Sequence, residues 1–203
     1  MSTVRSYNCG MTIAGTIKMT AKQYLALGED PPGVRLELVD GEIAVSPSPK
    51  PDHAFTVVQL ASLLNAHIVG HDLGQLFTDV DTVFEEHEVR RPDLLFFRKD
   101  RLHLISKNEA FEASPDLAVE IISPGSVKMD RTNKFDLYRR HQVRHYWIVD
   151  PGRHDAQAFE LVKGDYDLKT EGRGNDVVRF PPFPDLAIPL EKLWRPTLSS
   201  LAS

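Results

Sequence analysis

Two acids stand where apolar strands leave little room for a charge. Asp93 follows Arg91-Pro92 and opens the run Leu94-Leu-Phe-Phe97, and Glu120 sits inside Leu117-Ala-Val-Glu-Ile-Ile122. A buried carboxylate is costly unless it is paired, hydrogen-bonded or bound to a metal. One such acid reads as half of a structural ion pair. Two acids on strands that can be neighbours, about 4.8 Å apart, can instead share one divalent cation. Mg²⁺ suits that arrangement, because it accepts one or two carboxylates while keeping waters and phosphate oxygens. His53 begins a helix just after a proline-rich link. A helix N-terminus attracts anions, so His53 is a candidate phosphate contact, the alternative being an ordinary helix-start histidine.

A longer ordered set of residues resembles a known family. The set comprises Arg91-Pro-Asp-Leu94, Pro115-Asp-Leu-Ala-Val-Glu-Ile-Ile-Ser-Pro124, Asp130…Lys134…Tyr138 and Val143-Arg-His-Tyr-Trp-Ile-Val-Asp-Pro151. Upstream, Met19-Thr20…Tyr24, Glu37-Leu-Val-Asp-Gly-Glu42, Ser46-Pro47 and His53 join it. Together, over roughly residues 19–170, they resemble the restriction-endonuclease-like family of the PD-(D/E)xK phosphodiesterase superfamily. The resemblance implies that Asp93 and Glu120 are metal ligands. The superfamily's lysine would stand at position 122, which is Ile122 here. The resemblance implies that this lysine has moved to the following helix, where Lys134 is the matching residue. Lysine carries a point charge on a long flexible stem, so its Cα can come from any nearby element. Lys134 also lies four residues after Asp130, an ordinary helix pair, which is the competing role. Glu37 would complete the metal shell, and its alternative is an exposed strand acid. The catalytic set implied is Asp93, Glu120 and Lys134. Mg²⁺ is the implied metal, with Mn²⁺ as a substitute.

The elements that position these residues can be read from pattern. Thr20 caps a short helix, Ala21–Leu27. Val34–Val45 reads as a hairpin turning at Asp40-Gly41. Val57, Leu60, Ala61, Leu64 and Ile68 form one stripe on a helix over His53–Val69, with Asp52 as the N-cap. Strands follow at Gln75–Val80, Thr82–Phe84, Pro92–Phe97 and Leu117–Ile122. A helix over Val127–His141 crosses to a buried strand at Tyr146–Val149. Short strands at Phe159–Val162, Tyr166–Thr170 and Val177–Phe180 complete the chain. Tyr138, Tyr146 and Trp147 read as core aromatics. The fold class is α/β (α+β), a restriction-endonuclease-like core with a central mixed sheet flanked by helices. Residues 1–18 read as an N-terminal arm, 19–195 as the domain and 196–203 as a C-terminal tail.

Composition bounds the rest. The chain has 203 residues, 41% hydrophobic and 26% charged, as expected of one globular domain. No apolar run reaches the roughly 18 residues that span a membrane, and no secretory pattern opens the chain. A single cysteine, Cys9, fits a reducing cytoplasm. The net charge of −5 argues against a protein that coats nucleic acid but not against one basic face. Lys128–His145 offers such a face, with Arg131 a candidate substrate contact, or else a solvated basic helix. No zinc spacing, Gly-x-x-x-x-Gly-Lys loop or Gly-x-Ser-x-Gly elbow occurs. The function expected is a metal-dependent endonuclease acting on DNA, as a duplex-cutting homodimer. Two rivals remain: a catalytically silent binding or dimerisation module on the same fold, and phosphodiester chemistry on a small substrate.

Overall fold

A computed structural model describes residues 18–106, 110–123 and 129–196, with side chains of 129–131 excepted. In chain order its regular elements are α1 (Ala21–Leu25), β1 (Val34–Val39), β2 (Glu42–Pro47), α2 (Pro51–Gly70), β3 (Gly74–Thr78), β4 (Thr82–Glu85), β5 (Glu88–Arg90) and β6 (Leu94–Arg98). Then come β7 (Leu117–Ile121), α3 (Phe135–Arg140), β8 (His145–Asp150), β9 (Asp155–Val162), β10 (Asp165–Arg173), β11 (Val177–Val178) and β12 (Ile188–Pro189).

The strands build a six-stranded sheet in the order β10-β9-β8-β7-β6-β3. β7 and β8 pair in parallel and every other neighbour is antiparallel, so the sheet is mixed. The two parallel strands are buried throughout and mostly apolar, because both faces are covered. On one face Leu60, Leu64 and Ile68 of α2 pack against Leu94, Phe96, Val119, Trp147 and their neighbours. On the other, Leu137 and Tyr138 of α3 meet Ala118, Ile122, Tyr146 and Ile148. The mixed central sheet flanked by helices agrees with the expected fold class.

A second, four-stranded antiparallel sheet, β2-β1-β5-β4, stands beside the first. Its hairpin turns where expected: Asp40 and Gly41 have φ of 50° and 80°, the left-handed pair a tight turn requires. β5 is three residues long and carries no alternation that announces it. It is nevertheless fully buried, and it joins β1 to β4.

Several boundaries differ from the pattern reading. α1 ends at Leu25, with Thr20 and Gln23 forming a reciprocal capping box. α2 begins at Pro51, a residue suited to a first turn because it has no N–H to satisfy. Lys50, not Asp52, occupies the cap position, and Asp52 pairs with Arg195. The single helix expected over Val127–His141 is replaced by a π-helical turn, Met129–Lys134, leading into α3. The arm up to residue 17, the tail from 197 and residues 124–128 lie outside the described residues. No helix among the described residues is long and apolar enough to cross a membrane.

Candidate active site

The register of β6 and β7 sets the site. Leu94 faces Val119 and Leu95 faces Ala118, so continuing the ladder by one residue puts Asp93 across from Glu120. Side chains directly opposite in an antiparallel pair have Cβ atoms about 5 Å apart. The two acids expected to be neighbours therefore are. Both are buried, 6% and 2% exposed. The alternation of β7 sends Val119 and Ile121 toward α2, and Glu120 with Ala118 and Ile122 toward α3.

Asp93 is fixed by three donors. The Ile121 amide donates to Oδ2 at 2.8 Å, tying β6 to β7 across the site. His53 Nε2, from the first turn of α2, lies 3.2 Å from the same oxygen. Arg35 Nη1, from β1, donates to Oδ1 at 3.2 Å. Burial opposes ionisation of Asp93. The hydrogen bond and charge of His53, with Arg35 and Lys134, outweigh it and hold the carboxyl at about 2.

Glu120 is held from the end of the π-turn and from α3. Lys134 Nζ donates to Oε2 at 2.8 Å and Tyr138 Oη donates to Oε1 at 2.6 Å. Lys134 and Tyr138 are four residues apart, so one helical face presents both to the same carboxylate. Burial and the adjacent Glu120 charge push the Tyr138 phenol well above its ordinary value, so it stays protonated and a donor. Lys134 is 5% exposed, and its ammonium points at the acids and not at solvent. The expected relocation is thus geometrically sound. Ile122 packs in the apolar cluster of Tyr138 and Leu137, where it walls the site on the face of Glu120.

Glu37 is buried, 9% exposed, and so is not the exposed strand acid that was its alternative. Its Oε1 accepts from the Arg91 amide at 2.8 Å and lies 3.5 Å from Lys134 Nζ. Arg90 Nη1 is 3.8 Å from Oε2. Burial raises its pKa, but Lys134, Arg35, Arg90 and that backbone amide together lower it below the ordinary carboxylate range.

Among the described residues no three His, Cys, Asp or Glu side chains converge into a metal cage. A closed zinc set, with its four nitrogen or sulfur ligands, therefore does not fit. Two hard carboxylates facing each other do fit Mg²⁺, which takes few protein ligands and fills its octahedron with water and phosphate oxygens. Among the described residues Asp93 Oδ1 accepts a single hydrogen bond, from Arg35, and retains a lone pair for such an ion. Asp93 and Glu120 are the residues that would hold it, and Glu37 stands as the second counter-ion of Lys134.

Arg131's side chain lies outside the described residues. Among the described residues of the basic stretch Lys128–His145, Lys134 is buried, Arg139 pairs with Asp136 and Asp165, Arg140 with Glu85 and Arg144 with Glu160. Two site residues escaped the pattern reading. Arg35 alternates like an ordinary strand residue. Tyr138 was read as core, which it is at 0% exposure, but its hydroxyl also reaches Glu120. The signal for Tyr138 was its spacing of four from Lys134.

Comparison with known proteins agrees with this architecture. A crystal structure titled as a putative nuclease belonging to DUF820, from Anabaena variabilis, superposes with a TM-score of 0.71. It shares 22% identity, with 87% of this chain and 97% of that one covered, a likeness that shows the fold. No curated protein matches the chain. Residues 21–191 match the family model described as "Uma2: Putative restriction endonuclease". That span takes in both sheets and every site residue above, and the chain belongs to the Uma2 restriction-endonuclease-like family.

Proposed function

We propose that the protein is a Mg²⁺-dependent endonuclease that hydrolyses phosphodiester bonds of duplex DNA. The observation that carries this reading is Lys134 donating to Glu120 on the strand next to Asp93, a buried cation set among paired acids. Mg²⁺, or Mn²⁺ in its place, would supply positive charge to the phosphate and polarise water there. The chain's own residues do the positioning. The Ile121 amide and His53 orient Asp93, and Tyr138 orients Glu120. Lys134 presents a fixed ammonium where negative charge grows on the phosphate, an arrangement that needs no reorganisation during reaction. Ile122 and Leu137 keep the surroundings apolar, which strengthens each charge interaction. Two active sites are needed to cut both strands, so a homodimer is part of the proposal.

One observation favours a different reading. Lys134 already pairs with both Glu120 and Glu37, so the cluster is a self-consistent ionic core that a silent binding module could keep. A cleavage assay separates the two. Supercoiled and linear duplexes, single-stranded DNA, RNA and a dinucleotide are incubated with Mg²⁺, Mn²⁺ or chelator. Metal-dependent cutting of long duplex supports the endonuclease. Cutting of the dinucleotide alone points to small-substrate chemistry, and DNA binding with no cutting of any substrate leaves the silent module.

A further inference from the structure

Arg35 holds its guanidinium between a buried carboxylate and an exposed one. Nη1 donates to Asp93 Oδ1 at 3.2 Å, while Nη2 lies 3.2 Å from Asp79 Oδ1 without forming a hydrogen bond. Nε is also buried and has no hydrogen-bond partner among the described residues. Asp93 is locked in place by its three donors, whereas the Asp79 side chain is 61% exposed. Asp79 sits just past the end of β3 with φ of 57°, a conformation that aspartate and asparagine tolerate.

A guanidinium carries five N–H donors in a planar fork. Leaving two of its nitrogens buried and unspent is expensive, and such groups call for an explanation. An exposed carboxylate gives Arg35 little, because an ion pair in contact with water contributes little. A phosphodiester offers two oxygens at the spacing of the fork and takes paired hydrogen bonds. The location fits such a ligand. Arg35 touches the carboxylate assigned to the metal, and His53 brings the first turn of the 20-residue helix α2 to the other oxygen of that carboxylate. Lys50 makes no side-chain cap there, so the helix's positive end adds to the field.

We propose that Arg35 binds a backbone phosphate of the nucleic acid, and that Asp79 is an anionic placeholder that covers the guanidinium until the phosphate displaces it. The proposal rests on the nuclease reading for the nature of the ligand. Asp79 lowers affinity in the free protein and so favours contacts strong enough to evict it.

The test is fluorescence anisotropy of a labelled duplex in chelator, where no cleavage occurs, at low salt. Asp79→Asn keeps the backbone conformation and removes the placeholder's charge, and affinity should rise about fivefold. Asp72→Asn is the control: Asp72 is also well exposed, has φ of 53° and pairs with a lysine, Lys99, at the far end of α2. It should leave affinity within twofold of wild type. Arg35→Lys retains a counter-charge for Asp93 but loses the fork, and affinity should fall about fivefold. In an Arg35→Gln background the Asp79→Asn gain should vanish. If Arg35→Gln does not fold, the Asp79 and Asp72 comparison decides together with Arg35→Lys. Equal effects of Asp79→Asn and Asp72→Asn overturn the proposal, as does a gain that survives without Arg35. Either result with wild-type Mg²⁺-dependent cleavage intact overturns the phosphate site alone. Absence of that cleavage counts against the nuclease reading and leaves the affinity order to be judged separately.

Discussion

Lys134 Nζ and Glu120 Oε2 stand 2.8 Å apart, although Lys134 comes from the end of a π-helical turn and Glu120 from the middle of a parallel strand. The superfamily's strand position for this cation is filled by Ile122, which packs apolarly. The charge has been delivered to the same acids from a helix. π-Turns are uncommon and recur at functional positions, because they alter which side chains a helix presents.

Removing either acid's charge should abolish metal binding and cleavage together. Asp93→Asn and Glu120→Gln keep shape, so heats of Mg²⁺ binding by calorimetry and cutting of plasmid should both be lost. Lys134→Ala should part the two readouts, with cleavage down about a hundredfold and metal binding kept or tightened. Asp93→Asn combined with Lys134→Ala should be little worse than either alone, since groups acting as a unit are not additive. Metal binding that falls with Lys134→Ala as far as with Glu120→Gln would contradict these roles.

Tyr138→Phe isolates the positioning of Glu120. The change deletes one hydroxyl and keeps the ring packed against Phe84 and Tyr146. It removes the 2.6 Å donor to a buried carboxylate, which should cost about 1–3 kcal/mol in urea unfolding. Mg²⁺ affinity should weaken while the requirement for metal remains.

Stability should fall in mild acid through His145. Burial lowers its pKa to about 4, with Arg144 adding to the effect and Glu160 and Asp116 opposing it. The folded protein thus keeps His145 neutral where an unfolded chain, titrating near 6.5, takes up a proton. Stability from this group is present above about pH 6.5, declines as pH drops toward 4, and is flat below. The full loss is roughly 3 kcal/mol. Urea melts at pH 7 and pH 4.5 should show it, and His145→Gln should make that pH dependence shallower. An unchanged slope in the variant would assign the acid sensitivity to other groups.

Leu64 tests the packing that supports the site from α2. It is fully buried against the main sheet, so Leu64→Ala should destabilise by about 2–5 kcal/mol through lost burial and a residual cavity. Below the new melting point cleavage should be near wild type, because Leu64 packs on the sheet face opposite the one toward which Glu120 points.

What was legible in the chain had local physical causes. The acids stood out because an apolar strand makes a carboxylate conspicuous. The hairpin was visible because Asp40-Gly41 can adopt two positive φ angles, and α2 because five apolar residues repeat at helical spacing. What was hidden depended on distant partners. Arg35 looks like an exposed strand arginine until β6 brings Asp93 beside it, 58 residues later. Glu37 looks solvent-facing until β5 pairs beside β1 and brings Arg90 and the Arg91 amide to it, with Lys134 on the far side. β5 has only three residues and no period, and the π-turn has no sequence signature that distinguishes it from an ordinary helix. The basic stretch looked continuous because sequence does not reveal which acids fold back to neutralise it.

The sequence distances within the cluster also bear on how the protein is made. Arg35 reaches Asp93 across 58 residues, Glu37 meets the Arg91 amide across 54, and Glu120 meets Lys134 across 14. Long-range pairings of this kind form late, after the entropy of closing their loops has been overcome. A chain emerging from the ribosome therefore holds its acids without their cation until Lys134 and the second parallel strand have cleared the exit tunnel. The charge balance of the cluster is thus completed only once both sheets and the π-turn stand together.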